Sequence, residues 1–266
     1  MSNWFSRLLV AAALIPIVLG AVHLGGWWLF ALAILAATVA LHEYTVLIRG
    51  LGPLALASYV GSVLALVGAE VSGIAWMLGG ALLTLVLAFL LKAISDVRTA
   101  ATAAIAATLL GSIWVGCGLA FLILLRALPA HAELALYTVL LSVWAGDTLA
   151  YLGGRLLGRH KLAPTTSPGK TWEGLVFGAA ATIFVAFAAL YQDRHDFLTI
   201  PQSLVLGAVL AVAAPLGDLF ESLLKRDAGV KDSGTLLGGH GGVLDRLDAF
   251  LFAAPAAYFT IVALLG

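Results

Sequence analysis

Charge is scarce in this sequence. Only 11% of its 266 residues are Asp, Glu, Lys or Arg, whereas 62% are hydrophobic, which leaves too little polar surface to clothe a soluble globule of this length. Cysteine is scarcer still. Cys117 is the only one, so one chain can form neither a disulfide framework nor a thiolate metal cluster, and a packed core thiol is expected. Also missing are the period-two alternation of an outer-membrane barrel, a repeat of fixed period, and any Pro-rich or Ser-rich linker that would mark a second domain. What remains is an integral membrane protein built from helices.

A spanning helix needs about 20 mostly apolar residues. Such runs lie near 8–24, 27–48, 54–70, 74–91, 102–125, 134–153, 172–191, 203–224 and 247–265, the first and third of them short. The expected fold class is therefore all-α, a polytopic membrane protein with about nine transmembrane helices. Net charge is zero, but the 14 Lys and Arg residues are unevenly placed once the spans alternate in direction. Arg7, Arg49, Lys92, Arg98, Arg155, Arg159, Lys161, Lys170, Lys225, Arg226, Lys231 and Arg246 share the N-terminal side, and only Arg126 and Arg194 fall on the other. The positive-inside rule then places the N-terminus in the cytoplasm. The run from Leu8 to Leu24 is longer than a signal-peptide core and leads straight into another span, so it is read as a retained helix. A short N-terminus without a transit peptide favours a bacterial inner membrane. The 8 Pro and 29 Gly suit kinked, closely packed membrane helices.

Residues 1–130 read as scaffold and 131–266 as the catalytic region. His42 and Glu43 are exceptions within the first part; near the cytoplasmic end of the second span, a snorkelled or paired structural role is expected for both. Three polar constellations face the cytoplasm in the second part. Asp147, inside the sixth span, is costly at that depth unless paired, hydrated or bound to a cation; a structural hydrogen bond to a neighbouring helix is the alternative. The loop that follows carries Gly153-Gly154-Arg155, Arg159-His160-Lys161 and Ser167-Pro168-Gly169-Lys170-Thr171-Trp172-Glu173-Gly174. Its Gly and Pro let backbone approach a ligand, and Lys170 with the arginines suits phosphate oxygens, or else lipid headgroups. The upstream glycine spacing is wrong for a P-loop, and no strand is expected before it.

The third constellation starts at Pro215-Leu216-Gly217-Asp218, where Pro and Gly are expected to break the eighth span and let backbone line a wet cavity. Beyond it, Asp218, Ser222 and Lys225 share one helical face. Asp218 can coordinate a cation, Ser222 can hydrogen-bond a phosphate, and Lys225 with Arg226 can neutralise one. Lys231-Asp232, Gly238-Gly239-His240-Gly241-Gly242 and Asp245-Arg246-Leu247-Asp248 follow. Paired glycines permit close approach of a large anion, and Asp245 and Asp248 lie one helical turn apart for hard oxygen ligation. This is a ligand set for Mg²⁺ and phosphate, because soft or nitrogen-rich ligands are missing. A network of neutralising ion pairs would absorb some of these residues but not the glycines beside them.

The motif from Ser222-Leu223-Leu224-Lys225-Arg226 through Lys231-Asp232-Ser233-Gly234, His240-Gly241-Gly242 and Asp245-Arg246-Leu247-Asp248 resembles the phosphatidate cytidylyltransferase (CDP-diglyceride synthase) family. Gly146-Asp147-Thr148-Leu149-Ala150-Tyr151 and Ser167 to Gly174 resemble it too, so the likeness covers most of 144–250. Gly169 stands where that family often has Lys, and Gly238 where it often has Pro. The resemblance implies a dimeric enzyme of the cell inner membrane, its site facing the cytoplasm, that uses Mg²⁺ to convert CTP and phosphatidic acid into CDP-diacylglycerol and pyrophosphate. A second, monovalent cation beside Mg²⁺ is left open, and no nucleic-acid partner is expected. It further implies Asp218 and Asp245 as principal metal ligands with Asp248 assisting. Lys225, Arg226, Lys231 and Arg246 are implied to hold phosphates, Ser222 to position one, and His240 to donate to the leaving pyrophosphate. Asp147, Lys170, Asp232, Gly241 and Gly242 complete the expected substrate-binding set. Chemically, a lipid phosphate oxygen attacks the α-phosphorus of CTP, so positioning and charge neutralisation suffice without a protein nucleophile. Rival readings are a cation-coupled transporter with Asp147 and Asp218 at broken helices, or another CTP-dependent lipid enzyme, such as a polyprenol kinase or a CDP-archaeol synthase.

Overall fold

The computed structural model describes residues 3–95, 100–236 and 241–265, with side chains from residue 12 onward. Each of the nine apolar runs is helical. They form α1 (Asn3–Leu24), α2 (Gly26–Leu47), α3 (Ala55–Ser72), α4 (Ile74–Ala93), a continuous fifth span, α7 (Ala132–Leu157), α8 (Trp172–Leu190), α9 (Ile200–Asp227) and α10 (Leu244–Leu265). The fifth span comprises α5 (Ala101–Gly111), a π-helical turn (Ser112–Cys117) and α6 (Gly118–Arg126). Among the described residues, eight of these spans are long and apolar enough to cross a membrane, and the apolar part of α1 runs over Ala12–Leu24. The chain is a multi-pass membrane protein. Large side chains such as Trp27, Trp76 and Leu82 are exposed on the helix faces, where lipid rather than water solvates them.

The chain divides into two compact units, Met1–Ala127 with Asp227–Leu247, and Leu128–Arg226 with Asp248–Gly266. The first unit therefore takes in Lys231 to Arg246 alongside the N-terminal helices. Its core is held by small residues and hydroxyls. Gly68 and Gly80 let α3 and α4 touch backbone to backbone. Tyr44 donates to the Ala107 carbonyl at 2.8 Å, Ser58 to that of Thr108 at 2.9 Å, and Thr84 and Ser112 pair at 2.9 Å. In lipid such contacts replace the hydrophobic drive that holds soluble cores together. Cys117 is buried and unbridged, as expected.

In the second unit α7 and α8 interlock through small residues one turn apart, Gly146, Ala150 and Gly154 facing Gly174, Gly178 and Thr182. A Cβ on Gly178 would stand 2.8 Å from that of Ala150 and 2.9 Å from the Gly146 carbonyl. Between these helices lies a feature not foreseen in the all-α reading, a two-stranded antiparallel hairpin of β1 (Lys161–Ala163) and β2 (Ser167–Thr171). Pro164, Thr165 and Thr166 make its turn, and its strands are too short to register as a hydropathy pattern.

The expected break in the eighth span does not occur, because α9 runs unbroken through Pro215 and Gly217. Proline deletes one backbone hydrogen bond, whereas opening a helix in lipid would orphan several, so the helix persists. Gly217 serves close approach instead. A Cβ there would collide with the carbonyl of Asp248, so α9 and α10 meet where both carry carboxylates.

Candidate functional site

In the second unit the hairpin and α9 bring three of the expected residues into contact. Lys170 on β2 places Nζ 2.8 Å from Asp218 Oδ2, and Ser222 Oγ donates to Asp218 Oδ1 at 3.3 Å. Of the face predicted for Asp218, Ser222 and Lys225, the first two are in contact, whereas Lys225 pairs with Glu221. The pair of Lys170 and Asp218 is partly open, with Lys170 23% and Asp218 36% exposed.

Lys170 owes its position to contacts at both ends of the hairpin. Thr171 caps α8, its hydroxyl accepting from Gly174 N at 3.1 Å, the usual way to satisfy a first-turn donor. Glu173 reaches back to the start of the hairpin, where its carboxylate accepts from Arg159 N at 3.1 Å and His160 N at 3.2 Å and meets His160 Nδ1 at 2.6 Å. Arg226 fastens the other end, donating from Nε to the Thr166 carbonyl at 3.0 Å. Gly169-Lys170-Thr171 does lie on a strand, contrary to the expectation of a loop, and the exclusion of a P-loop rests on the glycine spacing alone. A Cβ at Gly169 would point into open space, so the departure there costs the hairpin no packing.

Four carboxylates gather beside this contact. Asp248 is buried, its Oδ1 accepting from Ala249 N at 2.7 Å, and Asp218, Glu221 and Asp147 all act on it electrostatically. Glu221, which the sequence motifs did not single out, is fully buried; its Oε2 holds the Nζ of the buried Lys225 at 2.6 Å. The i, i+4 spacing of an acid and a lysine was the available signal. Lys225 is thus held inside against Glu221, while Arg226 is exposed.

The first unit holds the rest of the expected set. Asp245 Oδ2 accepts from Ser233 N at 2.9 Å, Ser233 Oγ at 2.9 Å and Gly242 N at 2.7 Å. Gly241 adopts a left-handed φ of 78°, and a Cβ there would sit 2.6 Å from Asp245 Oδ2; glycine is needed on both counts. Lys231, Asp232 and Arg246 are exposed. His240 and Gly238 lie outside the described residues. Glu43, expected like His42 to be either snorkelled or paired, is buried and accepts from Ser233 Oγ, Val243 N and Leu244 N, whereas His42 is exposed.

The donors fit a hard divalent cation in kind, being carboxylate and hydroxyl oxygens. Among the described residues no three His, Cys, Asp or Glu side chains form a ready-made metal cluster. Mg²⁺ is usually held by one or two carboxylates and completes its shell with water and substrate phosphates.

Fold and site together define a multi-pass membrane protein that clusters acidic and basic side chains. The chain belongs to the cytidylyltransferase family, whose family model matches residues 5–264. It is 34% identical to the phosphatidate cytidylyltransferase of Synechocystis sp. over 97% of each chain. Over about half of each chain it is 42% identical to the phosphatidate cytidylyltransferases of Haemophilus influenzae, covering 48% of this chain and 45% of that one, and of Staphylococcus haemolyticus, covering 53% of each.

Proposed function

We propose that this chain is a CTP:phosphatidate cytidylyltransferase, which transfers CMP from CTP to phosphatidic acid and releases pyrophosphate. The observation that carries the reading is the gathering of Lys170, Ser222 and the carboxylates Asp147, Asp218, Glu221 and Asp248 in one unit of a chain that belongs to the cytidylyltransferase family. A phosphomonoester oxygen attacks the α-phosphorus, and the bond to the pyrophosphate oxygen breaks. Both reactants are anionic, so the protein's task is to align them and lower their repulsion.

Asp218 and Asp248, with Asp245 on the strength of the motif alone, are the proposed holders of Mg²⁺. Bound there, the ion supplies positive charge and orientation for the reacting phosphates. Lys170 neutralises Asp218 and stands ready to meet a phosphate. Ser222 orients the Asp218 carboxylate, and Lys231, Arg246 and Arg226 offer exposed cationic groups for the remaining phosphate oxygens. Lys225 fixes Glu221 by their short contact. The basic loops support a cytoplasmic site in a bacterial inner membrane. A homodimer is proposed from the family resemblance, and light scattering on the detergent-solubilised protein tests it.

The deciding experiment follows Mg²⁺-dependent pyrophosphate release from CTP by purified protein in mixed micelles, with and without phosphatidic acid, and identifies the lipid by mass. Release that requires phosphatidic acid and yields CDP-diacylglycerol supports the assignment. CDP in place of pyrophosphate would indicate a lipid kinase, and folded protein that leaves CTP untouched would bring back the transporter.

A further inference from the structure

Glu43 is an acid on α2, remote in sequence from every motif residue, yet it is 6% exposed and its carboxylate is engaged by one short segment. Oε1 accepts from Val243 N at 3.0 Å; Oε2 accepts from Leu244 N at 2.8 Å and Ser233 Oγ at 3.2 Å. Leu244 opens α10 and Val243 immediately precedes it, so Glu43 caps that helix from another helix. The fit is tight: a Cβ on Gly234 would stand 2.5 Å from Glu43 Oε1, and one on Gly242 would collide with Glu43 Oε2 and Ser233 Oγ.

Ser233 joins this carboxylate to a second one. Its hydroxyl lies 3.2 Å from Glu43 Oε2 and 2.9 Å from Asp245 Oδ2, and its amide and that of Gly242 also donate to Asp245 Oδ2. A hydroxyl has one hydrogen and donates to one acceptor at a time. The main-chain donors therefore carry much of the load, and the side-chain direction of Asp245 is set by the same segment that Glu43 holds. All of these residues lie in the first unit.

We infer that Glu43 is a positioning residue for the transfer reaction: it clamps Ser233 and the start of α10 so that Asp245 and the adjoining Arg246 are presented in one fixed orientation. The inference rests on the proposed cytidylyltransferase reading and on the role expected there for Asp245. A carboxylate is required because all three contacts donate to it. In Glu43→Gln one of these donors would face an NH₂ group, and in Glu43→Asp the side chain is one methylene too short to reach both main-chain amides.

The test compares wild type, Glu43→Gln, Glu43→Asp and Ser233→Ala as full-length protein in mixed micelles. Readouts are kcat, the KM for CTP and for phosphatidic acid, the Mg²⁺ activation midpoint and the melting temperature. Glu43→Gln is expected to lose about tenfold to a hundredfold in kcat per folded molecule, the scale of a hydrogen bond to a charged group. Its KM for phosphatidic acid should hold while the Mg²⁺ midpoint rises. Ser233→Ala, which removes only the bridging hydroxyl, should fold normally and lose about threefold to tenfold. Unchanged kcat and Mg²⁺ midpoint in folded Glu43→Gln and Ser233→Ala, with only the melting temperature lowered, would overturn the positioning role. If wild type itself does not turn over CTP, the functional reading fails separately. The clamp is then judged by hydrogen–deuterium exchange over 231–236 and 241–247, where local acceleration in Glu43→Gln supports it and unchanged protection refutes it.

Discussion

Replacing Asp218 by Asn separates chemistry from folding at the proposed site. The side chain keeps its volume, and its carbonyl oxygen can still accept from Ser222 Oγ. What disappears is the charge opposite Lys170. That ion pair is partly exposed on both sides, a setting in which a pair contributes about 1 kcal/mol or less, so the melting temperature should fall by only a few degrees. For catalysis the same change removes a carboxylate proposed to hold Mg²⁺ and so to offset the charge of the reacting phosphates. Losing one such electrostatic element typically costs about a hundredfold to a thousandfold in kcat. Unfolding cannot imitate this. A thousandfold loss through the folded fraction would need about 4 kcal/mol beyond the whole stability of the protein, several times what the ion pair supplies. Pyrophosphate release at saturating CTP and phosphatidic acid, normalised to folded protein by size-exclusion profile and thermal melt, is the measurement. Turnover within threefold of wild type in well-folded Asp218→Asn would refute the assignment of Asp218 to the reaction.

Gly178→Val should destabilise the second unit by about 1–3 kcal/mol or more, because the new side chain meets Ala150 and the Gly146 backbone, which cannot yield as a flexible chain end could. Gly169→Lys, where a side chain enters open space, should leave the melting temperature unchanged, and the contrast between the two melts checks the packing argument. Thr171→Ala removes the cap of α8 and should cost about 1 kcal/mol, with exchange accelerating over 172–176 and kcat/KM falling severalfold as Lys170 loosens. A cysteine at the exposed hairpin turn, Thr165→Cys in a Cys117→Ala background, should react with an impermeant maleimide only in inside-out vesicles. Labelling in intact cells would overturn the proposed orientation.

The helices were legible because a bilayer imposes a length on them: a run of apolar residues long enough to cross has little else to become. The hairpin escaped because three to five residues of mixed polarity carry no period, and because it is held by Glu173 and Arg226, which bind it from outside its strands. At Pro215 the expected break fails because opening a helix in lipid would orphan several backbone groups, and Gly217, read as part of that break, is a close contact with Asp248. The carboxylates and lysines of the site were visible as a cluster, since charge has few reasons to enter such a chain. Their pairing was not. Nothing in the order of residues says that Lys170 meets Asp218, or that Glu43 serves a segment 190 residues away. The paired glycines were the nearest clue. They were read as room for a ligand, but at Gly242, as at Gly234 outside the pairs, the Glu43 carboxylate occupies the space a Cβ would need. A glycine beside a charged motif therefore marks close approach without saying of what, and only coordinates tell a substrate's oxygen from one the protein supplies itself.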